Sequence, residues 1–365
     1  MCVRLRRHPV YRYLALAFIL AAGHSHAGDI ADHGVILLYH HVADKTPAVT
    51  SISPVAFDAQ MQYLERNNFL VWPLPRLVAA LEDGSEIPDR VVAISFDDNY
   101  QSVYSEAFPR LKQRGWPFTI FVSTDAVDQG INKQASWAQL REMVGHGATV
   151  ANHTASHAHL LQLAPGEKEQ DWARRVTADI DRAQRRIREE TGQETNLFAY
   201  PYGEFNRPLV KLVEQLGYVG IGQQSGAAGA HRAGLAIPRF PVAGNYTKLE
   251  DFAVRVLALP LPVETFEAED GPLSFGSPPP TLILNLVPGD YTPKALQCFD
   301  SGKGALTLQW LSQWQVKVLP KGSLPTGRSR FNCTLPTNFV SNGVRRYFWY
   351  SQPWVRADEE GRLLD

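Results

Sequence analysis

The chain has 365 residues, of which 44% are hydrophobic and 20% are charged, and its formal net charge is -1. This length is enough for two domains, or for one large α/β domain with an appendage. The near-neutral charge provides no basic field of the kind that attracts nucleic acid, so we expect no nucleic-acid partner.

The first 27 residues have the pattern of a secretory signal peptide. Four arginines precede the short apolar run LALAFILAA, and small residues stand at Ser25 and Ala27. An uncleaved membrane anchor is the alternative, but a spanning helix needs about 20 apolar residues and this run is shorter. We therefore predict cleavage after Ala27, no permanent membrane anchor, and a periplasmic or secreted protein.

Short apolar runs alternate with amphipathic segments from position 35 to about 259. The predicted strands are VILLY, RVVAISF, FTIFVS, ATVAN, NLFAYP and YVGIG. One helical pattern starts at Ser53 as N-cap, with Pro54 at the first helical position. The longest helix ends at Gly192 and carries one apolar stripe: Trp172, Val176, Ile180, Ala183 and Ile187. Alternating strands and helices predict a parallel sheet or a barrel whose active residues follow the strands.

The character of the sequence changes after position 262. Proline, glycine and acidic residues dominate positions 263–280, which predicts a linker. Positions 281–365 alternate polar and apolar residues and are rich in aromatic residues, which predicts a small β-sandwich-like accessory domain. Cys298 and Cys333 lie there, and an even pair in an oxidising compartment favours a disulfide over two unrelated thiols.

Acidic residues and histidines follow two of the predicted strands. Asp97 and Asp98 end RVVAISF, so that one carboxylate could bind a metal while the other transfers protons. His153 and His157 follow ATVAN, and on a helical turn their spacing of four places both imidazoles within reach of one ion. Each pair alone is compatible with solvated surface residues or a helix cap. Two histidines and a carboxylate together predict a catalytic metal site with positions open for water and substrate.

Two further strand ends carry candidate residues. FAYPYGEFN places a tight turn around Tyr202, which is either an ordinary turn or one that aims a backbone N–H into the site as an oxyanion donor. VILLYHHVAD ends the first predicted strand with His40 and His41, for which a purely structural role is the alternative.

These motifs resemble the polysaccharide deacetylases, the NodB-homology domain of carbohydrate esterase family 4, over positions 30–262. The resemblance implies an α/β fold, a deformed (β/α) barrel of about seven units, and metal-dependent removal of acetyl groups from N-acetylglucosamine units of a polysaccharide. It implies that Asp97 is the general base, that Asp98, His153 and His157 bind the metal, and that the backbone N–H of Tyr202 stabilises the oxyanion.

The general acid of this family is a histidine in a Leu-x-His motif, which is missing from the end of the domain. Leu38-Tyr39-His40 has this pattern. A circularly permuted branch, which includes poly-β-1,6-N-acetylglucosamine deacetylases, carries Leu-x-His on its first strand. Resemblance to that branch implies that His40 is the acid. His41 points the other way in strand geometry and is the second candidate.

The sequence departs from the family pattern at two positions that bear on the site. Asn99 replaces a glycine, but asparagine tolerates positive φ well. Ala199 replaces the arginine that partners the base, and Arg239 in IPRFPV is a candidate replacement. His159, two residues after a predicted ligand, has no assigned role.

Three functions remain open from the sequence. The first and favoured function is a metal-dependent deacetylase. Zn²⁺ suits its ligand set, and Co²⁺, Ni²⁺ or Fe²⁺ could also bind. A non-haem iron oxygenase uses the same triad, although the second aspartate argues against it. A catalytically weak or inactive sugar-binding member of the same fold is the main alternative, because of Ala199. Poly-N-acetylglucosamine, chitin oligomers and peptidoglycan all present the acetamide that a deacetylase attacks.

Overall fold

The computed structural model describes residues 33–131, 133–229, 236–300 and 303–364. The predicted signal peptide, positions 1–27, lies outside them. None of the helices in these ranges is both long enough and apolar enough to cross a membrane.

A curled, mainly parallel sheet forms the first half of the described chain. Its order is β10-β1-β5-β6-β7-β8-β9, with β11 beside β1 and β4 beside β5, whereas β2 and β3 pair separately. The strands are β1 (His33–Tyr39), β2 (His41–Val42), β3 (Ser51–Ile52), β4 (Leu70–Val71), β5 (Val91–Asp97), β6 (Phe118–Val122), β7 (Ala148–Asn152), β8 (Leu197–Ala199), β9 (Val219–Ile221), β10 (Ala228–Gly229) and β11 (Phe240–Pro241).

Helices alternate with these strands, as the sequence predicts. They are α1 (Pro54–Arg66), α2 (Leu74–Asp83), α3 (Phe108–Arg114), α4 (Thr124–Asp128), α5 (Trp137–Val144), α6 (Glu169–Thr191), α7 (Arg207–Gln215) and α8 (Leu249–Val256). Ser53 caps α1 by accepting a hydrogen bond from the Ala56 N–H. The predicted apolar stripe of α6 is buried, and Gly192 ends the helix with φ 68°. The half-barrel with alternating helices confirms the predicted deformed (β/α) barrel.

Strand β1 shows why the sheet is buried on both faces. All seven of its residues are buried. Val35, Leu37 and Tyr39 join one apolar cluster, and Ile36 joins another on the opposite face. A parallel strand covered on both faces needs a continuous apolar run, and VILLY is such a run.

The described residues from 259 onwards form two further sheets. Their strands are β12 (Leu259–Pro260), β13 (Val263–Ala268), β14 (Leu282–Leu286), β15 (Gln297–Asp300), β16 (Gly304–Ala305), β17 (Thr307–Trp310), β18 (Gln315–Leu319), β19 (Gly327–Ser341) and β20 (Val344–Arg356). One sheet has the order β12-β20-β19-β15-β16 and the other β13-β14-β18-β17. Buried residues of both sheets form one apolar cluster, so the predicted all-β region is confirmed.

The structure differs from the predicted linker at its first six residues, because strand β13 occupies them and pairs with β14. Because β13 lies at the edge of its sheet, its charged side chains can point into solvent. Glu264 and Glu267 are exposed. Their acidic character made a strand resemble a linker. The domain limits 30–262 and 281–365 stay predictions.

The predicted disulfide is confirmed. Cys298 on β15 and Cys333 on β19 lie directly opposite each other and are bonded.

The five-stranded sheet packs against the barrel. Strand β12, which directly follows the barrel helix α8, pairs with β20. Trp349 on β20 meets Phe240 of β11 edge-on, with ring centroids 5.1 Å apart. The buried Arg346 donates hydrogen bonds to the Leu257 carbonyl and the Asp89 carboxylate, each 2.8 Å long. Polar and aromatic contacts therefore join the two parts of the chain.

Candidate active site

The candidate residues come together because the strands that precede them are parallel. Strands β1, β5, β7 and β8 point the same way in one sheet, so their carboxyl ends meet at one edge. His40 follows β1, Asp97 ends β5, His153 follows β7, and the Tyr202 turn follows β8. A cavity of about 670 Å³ opens at this edge.

Several site residues adopt left-handed backbone conformations. Asp98 has φ 66°, Asn99 φ 51°, His157 φ 55° and Tyr202 φ 59°. Such conformations are uncommon for residues other than glycine and concentrate at functional sites. Asn99 has such a positive φ, as the tolerance of asparagine for this conformation led us to expect.

Asp98, His153 and His157 form a cluster suited to a metal ion, because their ligand atoms all lie within 4.8 Å of one another. Asp98 Oδ1 lies 3.1 Å from His157 Nε2 and 3.5 Å from His153 Nε2. Burial alone would raise the pKa of Asp98, but hydrogen bonds from His153 and His157 and the charges of His40 and His153 together hold the pKa well below its usual range.

His153 is oriented for a metal. Its Nδ1 lies 2.8 Å from the Ala199 carbonyl oxygen and, as an N–H, donates to it. This bond leaves Nε2 as the lone-pair nitrogen. His153 Nε2 is buried and has no hydrogen-bond partner among the described residues. A buried nitrogen without a partner is costly unless something binds it, so the residues present fit a divalent metal.

The sequence-based explanation for the histidine spacing is wrong in one respect. His153 and His157 lie in a loop and not on a helical turn. Positive φ values at Thr154 and His157 turn this loop, and the Thr154 hydroxyl accepts a hydrogen bond from the His157 N–H at 2.9 Å. The spacing of four brings the imidazoles together through a local turn motif instead.

Asp97 forms a bidentate ion pair with Arg239. Two guanidinium N–H groups donate to the two carboxylate oxygens at 2.7 Å each, and both side chains are 0% exposed. The Arg239 Nε–H also donates to the Gly222 carbonyl at 2.7 Å. Burial alone would raise the pKa of Asp97, but the charge of Arg239 and its hydrogen bonds, together with His153 and His40, outweigh burial and lower the pKa. Asp97 is not among the described residues that line the cavity, although His153 and His40 are close enough to act on its charge.

The two adjacent histidines have different surroundings. His40 lines the cavity together with Asp98 and His157. Burial lowers the pKa of His40, and the carboxylates of Asp98 and Asp97 oppose this effect. His41 instead stacks on Tyr100 with ring centroids 3.6 Å apart, and burial lowers its pKa to about 4. The geometry therefore favours His40 over His41 as the group that faces a substrate.

The Tyr202 turn lies at the wall of the same cavity. Pro201–Gly203 form a short 3₁₀ turn, and Tyr202 and Gly203 both have positive φ. The Tyr202 ring contacts the His157 ring edge-on at 4.5 Å. A Cβ on Gly203 would stand 2.6 Å from the side chain of Gln223. The turn therefore requires this glycine and is held next to a candidate metal ligand.

A second group of residues lies at this turn, of which the sequence indicated only His159, without a role, and neither Glu204 nor Arg328. The His159 ring stacks on Tyr202 at 3.9 Å, and His159 Nδ1 lies 2.8 Å from the buried carboxylate of Glu204. Arg328, on β19, contacts the other Glu204 oxygen at 3.7 Å and lies 5.1 Å over the Tyr202 ring. Glu204 could have been noted as the residue after the PYG turn, but no local signal links Arg328 to it.

Comparisons with known proteins match this region of the chain. Residues 84–221 match the family model described as polysaccharide deacetylase. The poly-beta-1,6-N-acetyl-D-glucosamine N-deacetylase of Escherichia coli (strain K12) is 25% identical over 261 residues, which cover 62% of this chain but only 38% of that protein.

Solved structures show the same fold. The structure of IcaB from Ammonifex degensii superposes with a TM-score of 0.52 and 28% sequence identity, covering 62% of this chain and 97% of that one. The Streptococcus pyogenes deacetylase PplD in complex with acetate has a TM-score of 0.56 and 24% identity, covering 62% of this chain and 99% of that chain, and supports the fold alone. The matched segment 84–221 contains the Asp97–Asp98 pair, both histidines of the cluster and the Tyr202 turn, so the part of the chain that carries the candidate site is similar to the polysaccharide deacetylases.

Proposed function

We propose that this protein is a metal-dependent deacetylase that removes acetyl groups from N-acetylglucosamine units of an extracellular or cell-wall polysaccharide. The observation that carries the proposal is the arrangement at one sheet edge of the Asp98–His153–His157 cluster and the Asp97–Arg239 pair. The relatives' names point to poly-β-1,6-N-acetylglucosamine as the first polymer to test.

In the proposed reaction, water hydrolyses the acetamide to acetate and a free amine. Asp98, His153 and His157 would hold one divalent metal, most simply Zn²⁺, with Co²⁺, Ni²⁺ and Fe²⁺ as alternatives. When bound, the metal supplies Lewis-acid polarisation of the acetyl carbonyl and lowers the pKa of water.

The protein's own groups would move the protons. Asp97 takes a proton from the attacking water, and Arg239 keeps this carboxylate ionised until it does so. The backbone N–H of Tyr202 donates a hydrogen bond to the tetrahedral oxyanion. His40 then protonates the leaving nitrogen, and its lowered pKa makes its protonated form a stronger proton donor.

The main alternative, an inactive sugar-binding member of the fold, rests on Ala199. The guanidinium of Arg239 donates two hydrogen bonds of 2.7 Å to the Asp97 carboxylate. It can therefore fulfil the role that an arginine at position 199 would have. This pairing supports an active enzyme. An oxygenase has no use for a second buried aspartate with its own arginine, so the same pairing argues against that reading.

We also propose a periplasmic or secreted location. The Cys298–Cys333 disulfide supports an oxidising compartment, as does the predicted signal peptide. In the same proposal, positions 30–262 form the catalytic domain and positions 281–365 an accessory domain.

Acetate release from the three candidate polymers tests the proposal. We expect the metal-loaded protein to release acetate from at least one of them and to lose this activity on chelation, while Asp97→Asn retains the metal and is slower by about 10²–10⁴-fold. Polymer binding without acetate release by the fully metal-loaded protein would instead establish the sugar-binding alternative.

A further inference from the structure

Strand β19 has two faces of different composition. Phe331, Cys333 and Leu335 are fully buried in the core between the two C-terminal sheets. Because side chains alternate along a strand, Arg330, Asn332 and Thr334 lie on the opposite face, and they are only partly buried.

Neighbouring strands extend this second face with aromatic residues. Phe299 of β15 lies opposite Asn332, and Trp349 of β20 lies opposite Thr334. Tyr347 of β20 is two residues before Trp349 and therefore shares its face. Phe299 is 38% exposed, so its ring does not serve to fill a core.

A cavity of about 340 Å³ lies between this aromatic face and the barrel, beside the contact of Trp349 with Phe240. Its barrel wall includes Ser225, Tyr246, which precedes α8, and Arg255, which lies in the last turn of α8. Tyr246 is 42% exposed, and the Arg255 guanidinium lies 4.6 Å from the centroid of its ring. The walls thus present exposed aromatic rings beside hydroxyl, amide and guanidinium groups.

This cavity adjoins the candidate active site. Pro241 and Arg330 line both cavities. Pro241 pairs in register with Leu38, two residues before His40. Arg330 donates a hydrogen bond of 3.3 Å to the Gln223 carbonyl, and the Gln223 side chain donates one of 3.3 Å to Asp97. A short hydrogen-bonded path therefore connects the dividing wall to the candidate base.

We propose that the cavity between β15, β19, β20 and α8 is a flanking subsite. It binds a pyranose unit that lies at least two units along the same polysaccharide from the unit that is deacetylated at the Asp98–His153–His157 cluster. A pyranose has an apolar C–H face, which suits exposed aromatic rings, and a rim of hydroxyls, which suits Asn332, Thr334 and Ser225. Sites of this kind are concave and aromatic with a few placed polar groups. The inference rests on the proposed function for the identity of the ligand.

The subsite makes the C-terminal sheet part of substrate recognition. Only a substrate of several sugar units can reach both cavities at once, because the active-site cavity accepts the reacting unit and the flanking subsite a later one. Loss of the aromatic face should therefore impair the use of long substrates more than that of short ones.

Phe299→Ala and Tyr347→Ala test the subsite. We expect kcat/KM for acetate release from a β-1,6-linked N-acetylglucosamine pentamer to fall about five- to tenfold in each variant, and that for the dimer to change less than about twofold. Phe275→Ala is the matched control, because Phe275 is 53% exposed and lines neither cavity. Equal thermal unfolding temperatures for the variants and the wild type would show that the fold is retained.

The outcomes separate this inference from the proposed function. If the wild type is active and Phe299→Ala lowers kcat/KM equally for pentamer and dimer, or not at all, the subsite is overturned and the function stands. If the wild type releases no acetate, the function fails, and calorimetric titration with the pentamer decides the subsite. Weaker binding by Phe299→Ala than by Phe275→Ala then supports it, and equal binding overturns it.

Discussion

Asp97 is buried against Arg239, and this contact decides how the carboxylate titrates. A carboxylate in a dry site ordinarily gains a proton, but a bidentate guanidinium favours its charged form. Buried ion pairs add little net stability, whereas removing one partner costs about 3–5 kcal/mol. The pair is therefore better explained by the proposed role of Asp97 as a base, which Arg239 keeps ionised, than as a stabilising contact.

Replacing Arg239 should reveal this role in the pH profile. Arg239→Met removes the charge that lowers the pKa of Asp97, so the pKa rises and the acid limb of the kcat/KM profile moves to higher pH. Arg239→Lys keeps a charge without the bidentate geometry, and we expect a smaller movement. A merely structural arginine would lower stability in both variants while the acid limb stayed in place.

We expect the Asp98–His153–His157 cluster to be needed for metal binding but not for folding. His157→Ala removes a ligand whose side chain is 25% exposed, so the protein should fold but retain little metal and no activity. Metal content by mass spectrometry and thermal unfolding measure the two effects. His146→Ala, an exposed histidine away from the cluster, is the control. Full metal occupancy in His157→Ala would contradict the assigned ligands.

The adjacent histidines of LLYHHV should differ sharply. His40→Ala removes the residue that lines the cavity, so we expect retained metal and a rate lower by about 10²–10⁴-fold. His41→Ala removes a ring that stacks on Tyr100, and its main effect should be on stability. An inactive His41→Ala beside a nearly wild-type His40→Ala would exchange the two roles.

At the scale of elements, the disulfide joins neighbouring strands of the five-stranded sheet. Cys298 and Cys333 are 35 residues apart in the sequence and directly opposite in the β15–β19 ladder. The bond closes a loop that carries β16 to β18. It therefore restrains the strand that brings Arg328 and Arg330 to the active-site cavity.

Reduction should loosen this sheet first. In the chain-entropy model, a loop of 35 residues gives about 3–4 kcal/mol, so the double variant Cys298→Ala/Cys333→Ala should unfold at a clearly lower temperature. The wild type in reductant should approach the same temperature, and reductant should leave the variant unchanged. An equal unfolding temperature for the oxidised wild type and the variant would show that the bond does not restrain the unfolded chain.

At the scale of the whole molecule, the C-terminal sheets cover part of the barrel. Trp349 packs against the fully buried Phe240, and Arg346 bonds the carbonyl that follows α8. These contacts surround apolar barrel residues that the barrel alone would expose.

A protein shortened to end at residue 260 should therefore be insoluble or strongly destabilised. It would expose Phe240 and lose the partner strand of β12, and exposed apolar patches promote aggregation. Solubility and thermal unfolding measure the effect, with full-length Phe339→Ala, which alters an exposed residue of β19, as the control. A soluble, stable shortened protein would show that the barrel does not need this cover.

Much of the fold could be predicted because its signals are local. A buried parallel strand needs an uninterrupted apolar run, and a helix needs its apolar stripe and cap, so VILLY and the α6 stripe could be recognised within short windows. Since parallel strands end at one edge of the sheet, the proximity of Asp98 and His153 could also be predicted from the polar residues that directly follow the strands. The disulfide could be predicted from the even number of cysteines after the signal peptide and from the expected oxidising compartment. The short strand β13 was missed because an edge strand tolerates acidic residues.

The amino-acid sequence by itself determined the barrel, the residues at its strand ends and the disulfide partners. Only the tertiary structure decided that Arg239 stands on Asp97, 142 positions away, that Arg328 reaches the Tyr202 turn, and that the aromatic face of β19 and its neighbours borders a second cavity. Contacts of this kind depend on how whole elements pack, and neither periodicity nor spacing encodes them, because no local window contains both partners.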